Sequence, residues 1–252
     1  MATAHERLLH GWTRGEHTDL VAGTATTHPT YRRGSGPGVV VIHEIPGITP
    51  QVVGFADEVV AAGFTVVLPH LFGRPGEPLG PRSVTRALTQ VCVSREFTTL
   101  ATGRTTPVAG WLRSLARELH DELGGPGVGA LGMCFTGGFA LAMMVDDAVT
   151  APVLCQPSAP FPIGRKRAGD LNLSPADQSR VVQRAAAGCQ VLGLQYAADP
   201  ATGTRFDTLE AAIDTAFVRI DLPGKGHSTL TAHRSQAAVD AVLGFLDEKL
   251  RT

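Results

Sequence analysis

VGALGMCFTGGFALAMM, residues 128–144, is the stretch of sequence that decides the fold. Its first six residues predict a buried strand, the segment around Cys134 predicts a tight turn, and the apolar run that follows predicts a helix. A strand-to-helix turn of this kind holds a nucleophilic side chain on a strained backbone, and small neighbouring residues make room for it. Gly132 stands two residues before Cys134, as this turn requires, whereas Thr136 replaces the glycine usually found two residues after it. The segment therefore predicts a nucleophile elbow carrying Cys134, with one departure from the usual pattern.

The chemistry of Cys134 follows from its position at the start of a predicted helix. The helix dipole and the free N–H groups of the first turn favour a thiolate there. The alternative is that Cys134 is a buried, inert core thiol in a glycine-rich turn. Cys155 and Cys189 lie in or beside apolar strand patterns and Cys92 lies on a predicted helix, so these three are interpreted as core residues or bystanders.

Apolar, β-branched runs alternate with helical patterns along the rest of the chain. The predicted strands span residues 39–44, 64–71, 128–133, 151–157, 190–197 and 216–223. The predicted helices span residues 50–62, 84–99, 107–123, 136–146, 175–187, 205–214 and 233–249. This alternation predicts a single α/β domain over residues 1–252, with a mostly parallel, doubly wound sheet and helices on both faces. Residues 1–37 are expected to be an N-terminal segment leading into the core.

Composition and charge narrow the class of partner. The chain has 252 residues, 43% hydrophobic composition and a formal net charge of -1, without a long block of like charge. We therefore expect a small-molecule partner, with no nucleic acid and no membrane, in a monomer or small homo-oligomer. The first twenty residues contain charged side chains where a signal peptide needs an apolar run, so a cytoplasmic protein is expected. The four widely spaced cysteines lack metal-ligand spacing, so neither a metal nor another cofactor is expected.

A cysteine nucleophile needs a general base and an acid that orients the base. In α/β-hydrolases these residues follow the nucleophile in the order acid, histidine, each on a loop after a strand. Asp199 follows the predicted strand 190–197, and His227 follows the predicted strand 216–223. Read alone, Asp199 is an ordinary turn residue before a proline and His227 an ordinary loop histidine. The rival acids Asp207 and Asp221 fall inside a predicted helix and a predicted strand, where they fit the pattern less well.

The third predicted part of the site is VVVIHEIPGIT, residues 39–49. In this fold the loop after such a strand supplies one backbone N–H to an oxyanion, and the residue after the nucleophile supplies the other. Those groups are predicted to belong to Ile45 and Phe135. Glu44 ends an apolar strand, where a carboxylate is costly to bury without a partner, so it is a candidate site residue; otherwise it is a solvated strand end. His43 is interpreted as structural or pocket-lining.

These motifs together resemble the dienelactone hydrolase family, from about residue 38 to the C-terminus. The points of resemblance are HEIPG after the strand, GMCFTGG at the elbow, the aspartate after a later strand, and Gly-His-Ser around His227. The resemblance implies an α/β-hydrolase with a Cys-Asp-His triad that opens lactone or ester bonds. It also implies that Glu44 interacts with Cys134 and takes part in its activation when substrate binds.

The resemblance has a second departure besides Thr136. The family's arginine four residues after the histidine, which helps to hold a substrate carboxylate, corresponds here to Thr231. Other basic residues near the predicted site are His233, Arg234, Arg82, Arg86 and Arg95, and the sequence does not choose among them. The substrate-binding residues are therefore left open.

The function predicted from the sequence is hydrolysis of a lactone or carboxylic ester through Cys134, His227 and Asp199, with an acyl-enzyme intermediate and no cofactor. A thioesterase or general carboxylesterase with the same site is the first alternative. A non-catalytic ligand-binding or thiol-sensing protein on the same fold is the second, because a fold alone does not fix a function.

Overall fold

The computed structural model describes residues 7–251. The predicted N-terminal segment and the predicted domain limits extend, at residues 1–6 and 252, outside the described residues. The eight strands found within residues 7–251 form one sheet in the order β1-β2-β4-β3-β5-β6-β7-β8. The strands are β1 (Thr13–Val21), β2 (Thr24–Arg33), β3 (Gly38–Ile42), β4 (Thr65–Pro69), β5 (Val128–Met133), β6 (Val149–Cys155), β7 (Val191–Tyr196) and β8 (Phe217–Leu222).

From β4 to β8 every neighbouring pair in the sheet is parallel. The predicted α/β class and mostly parallel sheet are therefore confirmed, and each of the six predicted strands is present within about two residues of its predicted limits. The carboxyl ends of parallel strands meet at one edge of a sheet, which is where open α/β sheets bind ligands. The loops after β3, β5, β6, β7 and β8 therefore converge there.

The helices connect the strands and cover the sheet. They are α1 (Pro50–Ala61), α2 (Pro81–Val93), α3 (Val108–Leu123), α4 (Gly137–Met143), α5 (Arg165–Ala168), α6 (Pro175–Ala186), α7 (Arg205–Ile213) and α8 (Gln236–Leu250). The prediction of a helix over 84–99 was wrong at both ends. Pro81 begins the helix because its fixed φ suits the first turn, and Ser94 is already extended. The short helix α5 lies in the segment between β6 and α6.

The N-terminal part of the described chain forms an antiparallel hairpin at one edge of the sheet. Strands β1 and β2 pair antiparallel with Val21 opposite Thr24, and β2 pairs antiparallel with β4. The two-residue turn between them consists of Ala22 and Gly23, both with positive φ. This left-handed geometry suits the twist of a hairpin. The hairpin widens the sheet at the edge opposite β8.

The core consists of two apolar layers, one on each face of the sheet. Alternate residues of β3 point in opposite directions: Val40 and Ile42 face the layer of α2, α3, α4, α6 and α7, whereas Val39 and Val41 face that of α1 and α8. Burial of each such side chain contributes about 1.5–3 kcal/mol. This double-sided burial explains why the central strands are continuous apolar runs. Between residues 7 and 251 no helix is long and apolar enough to cross a membrane.

Candidate active site

Cys134 lies at the turn between β5 and α4 and has a φ of 54°. A left-handed backbone is unfavourable for a residue with a side chain and persists where the surrounding structure enforces it, often at functional sites. Two glycines make the turn possible. A Cβ on Gly132 would lie 2.1 Å from the carbonyl oxygen of Thr136, and one on Gly137 would lie 2.6 Å from the Cα of Pro157. The close approaches that exclude a side chain are therefore at positions 132 and 137.

Thr136, the departure from the expected glycine, has its own structural function. Its buried hydroxyl oxygen accepts a hydrogen bond from the backbone N–H of Met133 at 3.1 Å. It also lies 3.2 Å from the carbonyl oxygens of both Ile42 and His43, and 3.0 Å from that of Met133, to one of which its proton is donated. Thr136 thus fastens the elbow to the end of β3, directly before Glu44 and Ile45.

The structure brings His227 and Asp199 together. Asp199 lies just beyond β7 and its side chain is 2% exposed, while His227 lies in the loop after β8. Nδ1 of His227 donates to Oδ2 of Asp199 at 2.7 Å. The backbone N–H of Ala201 donates to Oδ1 at 3.0 Å, and the hydroxyl of Thr202 donates to Oδ2 at 3.2 Å. The carboxylate is therefore fixed in position, and it in turn fixes the orientation of the imidazole.

The electrostatics of this group favour an imidazolium. Burial lowers the pKa of His227, but hydrogen bonds with Asp199 and Cys134 and the charges of both outweigh it and raise that pKa from 6.5 to about 10. The pKa of Asp199 is lowered: burial opposes the charged form, but the hydrogen bond and charge of His227 and the two further donors outweigh the burial. A proton on His227 can neutralise a thiolate at Cys134 or be delivered to a leaving group.

The two alternative acids, Asp207 and Asp221, pair with residues outside the triad. Arg219 binds Asp207 at 2.7 Å and Asp221 at 2.8 Å. Gln195 also donates to Asp221, at 2.7 Å. Asp199 is the carboxylate that contacts the histidine of the predicted triad.

Ser158 is a site residue that the sequence analysis missed. Its hydroxyl oxygen lies 3.4 Å from Sγ of Cys134, and its backbone N–H donates to the carbonyl oxygen of Cys134 at 2.9 Å. The hydroxyl is buried in the loop that follows β6, the strand beside β5. A polar residue just beyond the strand next to the nucleophile's own strand is the signal that could have found it.

Glu44 is buried beside the triad and has two hydroxyl partners. Ser228 donates to Oε2 at 2.8 Å, and Thr231 donates to Oε1. Burial raises the pKa of Glu44, although both hydroxyls and the charges of His227 and His233 act against the shift. Glu44, Ile45, Ser228 and Thr231 line a small cleft. Thr231, at the position where the family resemblance implied an arginine, is therefore a partner of Glu44.

His43 is structural, as one of its two interpretations proposed. It is fully buried, its Nδ1 donates to the carbonyl oxygen of Glu44 at 3.2 Å, and its Nε2 accepts from the N–H of Leu71 at 3.1 Å. Burial lowers its pKa to about 3, and the charge of His70 lowers it further. A neutral imidazole thus holds the ends of β3 and β4 together.

Arg205 joins two of the loops around the site by hydrogen bonds to their carbonyl oxygens. Its guanidinium is buried and donates to the carbonyl oxygens of Pro157 and Pro160 in the Ser158 loop. It also donates to those of Ala201 and Thr202 in the Asp199 loop. Burial lowers its pKa to about 10. One side chain therefore couples the loop that contacts Cys134 to the loop that carries Asp199.

Among the basic residues considered from the sequence, the arginines are paired or exposed, and His233 contacts His227. Arg234 pairs with Glu58 at 2.6 Å, and Arg86 pairs with Glu77 at 2.5 Å. His233 accepts a hydrogen bond from the backbone N–H of His227 through Nδ1 at 3.3 Å. Arg82 and Arg95 are exposed.

The other cysteines lie apart from the triad or are buried. Cys155 is fully buried at the end of β6, where burial raises the pKa of its thiol, while Cys92 is exposed on α2. Cys189 is half-buried. Within residues 7–251 no group of three or more His, Cys, Asp or Glu side chains is arranged to hold a metal ion.

Solved structures share the fold at low sequence identity. A cold-adapted esterase from an Arctic intertidal metagenomic library superposes with a TM-score of 0.61 at 15% identity, covering 96% of this chain and 95% of the esterase. A dienelactone hydrolase-like promiscuous phosphotriesterase from metagenomic libraries gives a TM-score of 0.60 at 17% identity, covering 95% and 99% of the two chains. No curated protein matches the sequence.

A family model, that of the dienelactone hydrolase family, matches residues 23–187. This range covers more than half of the chain and includes Glu44 and Cys134, whereas Asp199 and His227 lie beyond it. The family match, the elbow and the sheet topology agree with the resemblance read from the sequence. The chain belongs to the dienelactone hydrolase family.

Proposed function

We propose that the protein hydrolyses carboxylic esters or lactones through a triad of Cys134, His227 and Asp199. The observation that carries the proposal is the 2.7 Å hydrogen bond from His227 to a buried Asp199, with the same imidazole interacting with the thiol of Cys134. A nucleophile, a base and an orienting acid in this arrangement are suited to acyl transfer. Membership of the dienelactone hydrolase family supports the same reaction class.

In the proposed acylation step, His227 holds the proton of the Cys134 thiol, and Sγ attacks the carbonyl carbon of the ester. The backbone N–H groups of Ile45 and Phe135 stabilise the negative oxygen of the tetrahedral intermediate, a contribution of about 3–4 kcal/mol per donor. The imidazolium of His227 protonates the departing alcohol as the carbon–oxygen bond breaks. The product is a thioester on Cys134 and a neutral imidazole.

In the proposed deacylation step, neutral His227 takes a proton from water as the water attacks the thioester. The second tetrahedral intermediate collapses, the carbon–sulfur bond breaks, and the acid leaves. Asp199 holds the imidazole in the orientation that both steps need. Thr136 contributes to the geometry by joining the elbow to the strand end before Ile45.

Glu44 is proposed to make the reactivity of Cys134 conditional. A buried carboxylate beside the triad opposes formation of a thiolate when the site is empty and can accept a proton once substrate displaces it. Both of its oxygens are held by hydroxyl groups. The gating is a proposal separate from the triad itself.

The test compares Cys134→Ala with Cys92→Ala, which removes an exposed thiol on α2. Each variant and the wild type are assayed with a lactone, an aryl ester and an acyl thioester. We expect the loss of Cys134 to abolish turnover and the loss of Cys92 to leave it unchanged. Retention of most activity in Cys134→Ala would remove the proposed nucleophile. The relative rates for the three substrates separate a lactonase or esterase from a thioesterase.

A further inference from the structure

The cleft beside Glu44 has an unusual balance of charge. Nine residues line it: one acid, Glu44, with three hydroxyl residues, one amide and four aliphatic residues. None of these lining residues is cationic. The cleft adjoins the triad through Ile45, which carries a proposed oxyanion donor, and Ser228, which follows His227. A substrate group placed in it therefore meets a carboxyl group and apolar walls.

The two hydroxyls best placed to bind an anion are already engaged. Ser228 and Thr231 both donate their protons to Glu44. A substrate carboxylate entering the cleft would have to displace these bonds and leave Glu44 buried without them. Removing a buried acceptor's donors is costly, because the acceptor has lost its water as well.

Glu44 disfavours a substrate carboxylate in the cleft in both of its protonation states. If Glu44 is ionised, it repels a second carboxylate a few ångströms away in a site of low dielectric. If Glu44 is protonated, no cation of the cleft compensates the desolvation of the substrate carboxylate. Of the cations near Glu44, Arg234 is paired with Glu58 and the imidazolium of His227 is paired with Asp199.

We propose that the cleft beside Glu44 selects an uncharged substrate group, so that the enzyme acts on neutral esters or lactones and discriminates against those bearing a carboxylate. This inference rests on the proposed function, since it assigns the substrate class of the same site. The apolar remainder of the cleft, formed by Ile45, Pro46, Leu79 and Ala232, offers no charge to a substrate carboxylate.

The test uses two pairs of esters that differ in one carboxylate. The first pair, 4-nitrophenyl pentanoate and mono(4-nitrophenyl) glutarate, places the charge on the acyl side. The second pair, methyl 4-acetoxybenzoate and 4-acetoxybenzoate, places it on the alcohol side. We expect the neutral member to have the higher kcat/KM in both pairs, by at least tenfold in one of them. An anionic member that reacts as fast or faster in either pair, or a preference below tenfold in both, overturns the inference.

The same assay separates the two proposals. If the esters are hydrolysed without the predicted preference, the substrate class is wrong and the hydrolase stands. If no ester of either pair is hydrolysed, the proposed function fails and the inference fails with it.

A positive charge introduced at Thr231 tests whether the cleft causes the preference for neutral esters. Thr231→Arg places a cation beside Glu44, whereas the control Thr18→Arg adds the same charge to an exposed position of β1 at the far edge of the sheet. We expect Thr231→Arg to raise the anionic-to-neutral ratio of kcat/KM at least tenfold relative to the control. An unchanged ratio in a folded Thr231→Arg enzyme overturns the assignment of the cleft. Should that variant fail to fold, the wild-type ratios still decide the inference.

Discussion

Thr136→Val removes the hydroxyl that joins the nucleophile elbow to β3 while keeping the shape of the side chain. In the wild type this hydroxyl accepts from the N–H of Met133 at 3.1 Å and lies within 3.2 Å of the carbonyl oxygens of Ile42 and His43. Thr136, Met133 and Ile42 are fully buried. Water therefore cannot replace the lost bonds without a rearrangement of the turn.

The expected loss of stability follows from the backbone N–H of Met133, which is left without an acceptor. A buried donor that loses its acceptor costs about 1–3 kcal/mol in free energy of unfolding. For a chain of this length about 1 kcal/mol lowers Tm by roughly 2–4 °C, so a decrease in Tm of roughly 2–12 °C is expected. Thr136→Ser keeps the hydroxyl and loses one methyl group, which costs about 1 kcal/mol.

Urea denaturation of wild type, Thr136→Val and Thr136→Ser measures these differences, and ester turnover by the same proteins measures their effect on the site. We expect the valine variant to lose more stability than the serine variant and to lose kcat more than KM, because the elbow shifts relative to Ile45. A valine variant as stable as wild type within about 0.5 kcal/mol would refute the prediction, since substitutions at exposed positions without buried partners usually change stability by no more than that.

Three further results are expected. The pKa of His227 is raised to about 10, so the folded state holds a proton that the unfolded state loses above pH 6.5. The stability advantage of wild type over His227→Gln, measured by urea titration, should therefore shrink as the pH rises from 6.5 to 10. A difference in stability that stays constant over this range would contradict the prediction. Arg205→Lys, which cannot bind the Ser158 loop and the Asp199 loop at once, should lower kcat with little change in KM. Unchanged kinetics would show that the link between these two loops is not needed for catalysis. Cys134 should react with iodoacetamide faster in Glu44→Gln than in wild type at fixed pH; equal rates would remove the gating while leaving the triad.

The central sheet could be predicted because its strands are buried on both faces. A strand with apolar residues on both sides, such as Val39–Ile42, stands out from the polar segments around it. The hairpin β1–β2 lacks this pattern, since β1 carries Arg14, Glu16 and Thr18 on an exposed face. Its turn, Ala22-Gly23, also lacks the asparagine or aspartate that usually marks such turns. Local sequence therefore gave no indication of the hairpin.

The residues of the candidate triad could be named because each follows a strand of the predicted sheet. Asp199 and His227 are far apart in sequence, yet the parallel order of β7 and β8 brings them to the same edge, where they form a hydrogen bond. Their catalytic roles stay predictions. Arg205 could not be found in this way, because its importance depends on contacts between loops that the sequence does not specify.

The departures at Thr136 and Thr231 show a second limit of sequence reasoning. A motif comparison marks both positions as exceptions without saying what the replacement does. In the structure each threonine hydroxyl takes part in a buried hydrogen bond at the site, Thr136 to the end of β3 and Thr231 to Glu44. Both substitutions change which groups meet in the site while preserving the turn and the loop that carry them.

The measurement that tests the central claim most directly is the trapping of an acyl group on Cys134. Asp199→Asn or His227→Ala, in which deacylation should be slowed, is mixed with 4-nitrophenyl pentanoate, quenched in acid and digested for mass spectrometry. We expect a pentanoyl adduct on the peptide containing Cys134 and none after the same treatment of the Cys134→Ala double variant. An adduct on Ser158 or Ser228 instead, or turnover without any adduct on Cys134, would contradict it.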